Sequence, residues 1–113
     1  MAVCVLFNPY TGKRLAVVVN IPDSANLRLA RQVAMALKKK DKAYTSIECS
    51  LPIIGNENDI KYLAVIPYLN TFIPKALGND ADEMLKILGN KYIFLPIEKV
   101  VITAVNDLLQ YIA

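Results

Sequence analysis

Histidine and tryptophan are absent from the 113 residues, cysteine occurs twice and glycine four times. Without histidine there is no Ser-His-Asp triad, no His-ligated zinc and no imidazole to move a proton near neutral pH. Cys4 and Cys49 are too few for a four-thiolate metal site and do not form a CxxC pair. The glycines stand far apart, so neither GxxxxGK nor GxGxxG is present to cradle a phosphate. No serine occupies a GxSxG elbow. Long hydrophobic runs are also missing. The longest, Tyr62 to Leu69, contains Pro67 and falls far short of a membrane span. The first residues, Met1 to Phe7, are apolar but carry no basic segment and meet Asn8-Pro9 too soon for a secretory signal. These absences predict an intracellular, cytoplasmic chain with no membrane partner.

What is present is apolar. Hydrophobic residues make up 55% of the chain and charged residues 20%, and mean hydropathy is +0.35. Disorder is excluded by that balance. The length suits one α/β domain, residues 1–113, able to bury roughly two-thirds of its unfolded surface. Such a core needs no covalent staple. Both cysteines lie in apolar, strand-like runs, so buried free thiols are the first expectation and a bridge between neighbouring strands the second. Apolar content beyond what a small monomer requires points to a subunit interface, hence to a homodimer. The abundance of Ile, Lys and Asn fits an AT-rich genome, such as an archaeal or viral one.

Charge is uneven along the chain. Residues 1–42 hold eight cations and only Asp23 and Asp41 as acids, a balance of +6. Residues 43–113 hold five lysines against eight acids, a balance of −3. This asymmetry predicts an anionic partner or charge complementarity between subunits.

Several local elements follow from spacing. Val3–Phe7 and Arg14–Asn20 are β-rich and flank a Pro- and Gly-containing turn, which predicts an N-terminal hairpin. Leu15–Val19 is apolar on both faces, as a central strand requires. A helix follows Pro22, with Asp23 or Ser24 as its cap. Its apolar side is Leu29, Ala30, Val33, Ala34, Ala36 and Leu37. The other side carries Arg28, Arg31, Gln32, Lys38 and Lys39, with Met35 among them.

Further along, Tyr44–Leu51 alternates as a half-exposed strand, and Tyr62–Ile66 is a second continuous apolar strand. Asn70 or Thr71 is placed to cap a helical turn over residues 72–77. Asp80 with Glu83 forms a capping box, and Gly89 a helix stop. Tyr92–Leu95 is a short strand, and Pro96 opens a last helix. Within that helix the β-branched run Val100–Thr103 leaves residues 98–105 compatible with either helix or strand.

Three aliphatic-Pro pairs, Ile21-Pro22, Ile66-Pro67 and Leu95-Pro96, each close a strand ahead of a helical stretch. Repeated strand–Pro–helix units imply crossover connections. The predicted architecture is therefore a mixed, mostly parallel sheet of about five strands, with the N-terminal hairpin and three helices packed on it.

For function, the strongest signal is basic. Arg28, Arg31, Lys38, Lys39, Lys40 and Lys42, joined by Lys13 and Arg14 at the hairpin tip, are suited to phosphate contacts. Tyr10 and Tyr44 are the only nearby stacking residues. The expectation is a small, self-associating, non-catalytic module that contacts nucleic acid or another polyanion and uses no cofactor. One alternative is a structural subunit with no ligand.

A second alternative is a nucleotide-like small-ligand site beyond the strand ends, built from Asn20, Asp23, Ser24, Tyr68, Asn70, Thr71 and Glu98. The same residues serve equally well as helix caps. Finally, Pro22-Asp23 with Asp59-Ile60-Lys61 resembles the Pro-Asp…Asp-x-Lys signature of the restriction-endonuclease-like nucleases. That resemblance, over five residues, implies metal-dependent hydrolysis. It departs from the family in placing Asp23 at a helix cap and Asp59 in a loop.

Overall fold

The computed structural model describes residues 1–112. The hairpin is present: β1 (Ala2–Phe7) pairs antiparallel with β2 (Arg14–Val19). The chain then forms α1 (Asn26–Lys40), β3 (Ser46–Cys49), β4 (Ile53–Ile54), β5 (Tyr62–Tyr68) and β6 (Thr71–Gly78). It finishes with α2 (Ala81–Leu88), β7 (Ile93–Pro96), β8 (Glu98–Ile102) and α3 (Val105–Ile112).

The strands make two four-stranded sheets, ordered β3-β1-β2-β8 and β4-β6-β5-β7. Of the six strand pairings only β2–β8 and β4–β6 are parallel. The fold is thus α+β and mostly antiparallel. The expected single, mostly parallel sheet of about five strands is incorrect.

Three apolar clusters define the layers. Val3, Val5, Phe7, Ala16 and Val18 from the first sheet meet Leu63, Val65 and Leu77 from the second, forming a core between the sheets. The opposite face of the first sheet, with Leu6, Val17 and Val19, packs on Ala30, Val33 and Ala34 of α1 and Leu108 of α3. The opposite face of the second, with Ala64 and Ala76, packs on Met84 of α2. The order is helix, sheet, sheet, helix.

This layering leaves the same sequence pattern as a parallel sheet covered by helices on both sides. β1 and β2 are apolar on both faces because one faces helices and the other a second sheet. Small residues at Ala64 and Ala76 let α2 approach closely. At Gly78 a Cβ atom would lie 2.6 Å from the Met84 sulfur, so only glycine leaves that side chain its place.

The prolines act differently from expectation. Ile66-Pro67 does not end a strand: β5 continues through Tyr68, and Pro67 faces Phe72 across a tight hairpin. Residues 71–78 are therefore strand β6: of the two expected caps, Asn70 lies in the hairpin turn and Thr71 opens the strand opposite Tyr68. Pro96 closes β7 and does not open a helix. Residues 98–102 are a strand whose parallel partner is β2, and the last helix begins only at Val105. The α1 cap also differs. Ala25 holds the cap position without a side-chain bond, and Asn26 accepts instead from the Ile21 N–H at 3.0 Å. At α2 the expected cap residue is present, with Asp80 accepting from the Asp82 and Glu83 amides; this is the N-cap half of the expected capping box.

Cys4 and Cys49 are direct register partners on β1 and β3 and are joined by a disulfide. The first expectation of free thiols is thereby overturned. Sequence distance concealed that the two runs are neighbouring strands.

Candidate polyanion groove

The basic half of α1 runs beside β3, one of the two edge strands of its sheet. Between them lies an open groove of about 1050 Å³. Helical spacing lines up Arg31, Met35, Lys38 and Lys39 along one wall, joined in the lining by Lys42 and Tyr44 from the segment that follows α1. The other wall is Ile47, Glu48 and Cys49 of β3, and Ile112 of α3 also lines the groove. Among the described residues, four cationic side chains thus line the groove with one acidic side chain, Glu48. The same amphipathic pattern that buries Ala30, Val33 and Ala34 against the sheet turns the cations outward.

None of Arg28, Arg31, Lys38, Lys39, Lys40 or Lys42 makes an ion pair among the described residues. The structure brings Arg31, Lys38, Lys39 and Lys42 together around the groove, while Arg28 and Lys40 are exposed on α1 outside its lining.

Lys13 and Arg14 are engaged elsewhere. The Lys13 ammonium lies 2.6 Å from Asp41 and 4.8 Å from the centre of the Tyr44 ring. Its hydrogen bond to Asp41 raises the Lys13 pKa. The Lys13 bond, with a second from the Ala43 N–H, lowers that of Asp41. Burial raises that of the Tyr44 hydroxyl. The sign of the linkage follows. Asp41's contribution to stability is complete above its ordinary value of 3.8 and is lost as pH falls through its lowered value. Lys13's is complete below 10.5 and is lost as pH rises through its raised value. Across the neutral range the pair does not titrate. Arg14 donates to the carbonyls of Pro96 and, at 2.7 Å, Gly12, so it ties the hairpin to the end of β7.

The residues expected to form a small-ligand site do not converge. Glu98 begins β8 beside Leu15, whereas Asn20 follows the other end of β2, where Val19 pairs with Ile102. Asp23 and Ser24 lie in the exposed turn beyond Asn20, Asp23 with φ of 57°. Tyr68, Asn70 and Thr71 belong to the β5–β6 hairpin end. That hairpin meets the β1–β2 turn through the Phe72 N–H and the Pro9 carbonyl, and the Thr71 hydroxyl donates to Tyr68. The seven residues are divided between two ends of the molecule.

The nuclease-like pair fares similarly. Asp59 is paired with Lys61 at 3.3 Å and Lys99 at 3.6 Å, and Asp23 is a turn residue. Among the described residues no three acidic, cysteine or histidine side chains are grouped to hold a metal.

The β3 wall escaped the sequence reading. Its alternation identified a strand, but only the register with β1 makes it an edge. No helix among the described residues is long and apolar enough to cross a membrane. No protein-family model matches the chain, and neither the curated proteins nor the solved structures compared with it include a match, so geometry and charge carry the functional reading.

Proposed function

We propose that the chain is a non-catalytic binding module whose α1–β3 groove engages an extended polyanion, nucleic acid or acidic polypeptide. One observation carries this reading: Arg31, Lys38, Lys39 and Lys42 surround one open groove in which Glu48 is the only acidic side chain among the described residues. Unpaired cations along a concave surface concentrate positive potential, and their attraction to an anionic chain weakens with salt. Contacts of this kind position a partner without reading its sequence.

The test is a titration of a labelled oligothymidylate and of polyglutamate at increasing sodium chloride. Log affinity for the oligonucleotide should fall linearly with log salt, with a slope of about −3 if four cations each meet one phosphate. Affinity indifferent to salt for both polymers defeats the reading.

A second reading is self-association through α3. Val105 and Leu109 are 59% and 58% exposed and share a helical face with Ile112. An apolar stripe of this kind is suited to pairing with a second copy. Sedimentation velocity should then show a dimer that Leu109→Glu converts to monomer, and a wild-type monomer at high concentration removes the idea.

A further inference from the structure

The groove has a feature that charge alone does not use: one wall is the free backbone of an edge strand. β3 pairs with β1 and, among the described residues, has no strand on its other side. Its register fixes which backbone groups point outward. The Cα atoms of Cys4 and Cys49 are 4.1 Å apart, the spacing of a non-hydrogen-bonded antiparallel pair. The next residue confirms the phase, since the Ser50 N–H donates to the Val3 carbonyl at 3.3 Å. In such a pair the N–H and C=O groups turn away from the partner strand. Cys49, and by the two-residue repeat Ile47, therefore direct their backbone polar groups to the open edge of the sheet, where the groove lies.

We propose that the occupant of this groove is an acidic, extended peptide segment of a partner protein, which adds to β3 as a further strand. This rests on the polyanion reading and names its partner. A strand laid along β3 would take its main-chain hydrogen bonds from Ile47 and Cys49, the mode in which backbone supplies affinity and alternate side chains supply specificity. Side chains on one face of that strand point toward α1. There they meet Lys38 and Lys39, which match carboxylates, and Met35, 58% exposed, which matches an aliphatic residue. A nucleic acid would use the cations but not the backbone edge. It would also find Tyr44 as the sole aromatic ring in the groove lining.

The experiment compares three fluorescent probes on the intact oxidised chain. They are a short acetylated peptide alternating Glu and Val, the same peptide N-methylated at every amide, and an oligothymidylate of equal charge. The plain peptide is expected to bind with salt-sensitive affinity. N-methylation keeps the charge but removes every donor, and should weaken binding by about tenfold or more. Hydrogen exchange supplies a second readout: the Ile47 and Cys49 amides should become protected with the peptide and not with the oligonucleotide. Equal binding of the two peptides, or no protection at those amides, overturns the strand-addition proposal. If the oligonucleotide binds and the plain peptide does not, the polyanion reading stands and the peptide partner falls. If none of the three binds, both fall.

Discussion

Reversing three cations, Lys38→Glu, Lys39→Glu and Lys42→Glu, should abolish polyanion binding while leaving the fold intact. All three line the groove, and none is paired with a carboxylate among the described residues. Their removal breaks no ion pair, although Glu at positions 38 and 39 in the last turn of α1 opposes the helix dipole at a cost of about 1 kcal/mol each. For binding the case is different. Each lost phosphate contact removes about 0.7 from the salt slope on a single strand, so three should flatten it by about 2. Affinity at low salt should fall by about a hundredfold or more, because reversal replaces attraction with repulsion. The control is Arg28→Glu, which changes the charge of the same helix away from the groove lining and should cost far less. Circular dichroism and thermal melting establish that the triple variant is folded. Unchanged affinity in that folded variant, or an equal loss on Arg28→Glu, would show that the groove is not where a polyanion binds.

Removing the disulfide should have the largest effect on stability. Cys4 and Cys49 are separated by 45 positions, so the bond closes a loop that includes β2 and all of α1. In the chain-entropy model a loop of that length is worth about 4 kcal/mol through restriction of the unfolded chain. For a chain of this size the melting temperature should fall by roughly 15 °C. Cys4→Ser with Cys49→Ser, or treatment with a dithiol reductant, gives the measurement, and m-values from urea titration report any change in the unfolded state. Access is also asymmetric. Cys4 is fully buried under α1, whereas Cys49 is only half-buried and lines the groove. After reduction an alkylating reagent should label Cys49 well before Cys4. Equal melting of the oxidised and reduced chains would contradict the assignment of the bond as a constraint on unfolding.

Legibility of the sequence followed the range of the interaction concerned. The β1–β2 hairpin, the alternation in β3 and the Asp80–Gly89 helix depend on neighbours within a few positions, and each was visible. The layer arrangement depends on what covers a strand. The run Leu15–Val19 reads the same whether its faces meet two helix layers or one helix layer and one sheet. Pro67 and Pro96 illustrate a second limit. Proline reports that an amide donor is missing, but not whether the chain continues along an edge, turns into a hairpin or leaves the sheet. Pro67 remains within β5, and Pro96 stops β7 one residue short of β8.

The candidate groove was half legible. Cations at helical spacing placed Arg31, Lys38 and Lys39 on one face. Lys13 and Arg14 looked equivalent to them in charge, yet Asp41 and the Pro96 and Gly12 carbonyls hold them, and only tertiary structure supplies those partners. Ile47 and Cys49 carried no signal beyond alternation, because an edge is defined by the strand that is missing beside it.

The parallel pairing of β2 with β8 has a consequence for assembly during synthesis. Leu15 must wait for Glu98, and Val19 for Ile102, before the first sheet acquires its last strand. On a ribosome the hairpin, α1 and β3 would emerge and associate early, leaving one side of β2 without its neighbour until almost the entire described chain has been translated. Contacts so distant along the polymer form slowly, and an unfilled position in a nascent sheet is open to strands from other molecules. Truncation before residue 98 should therefore yield a sticky intermediate in place of a smaller stable protein.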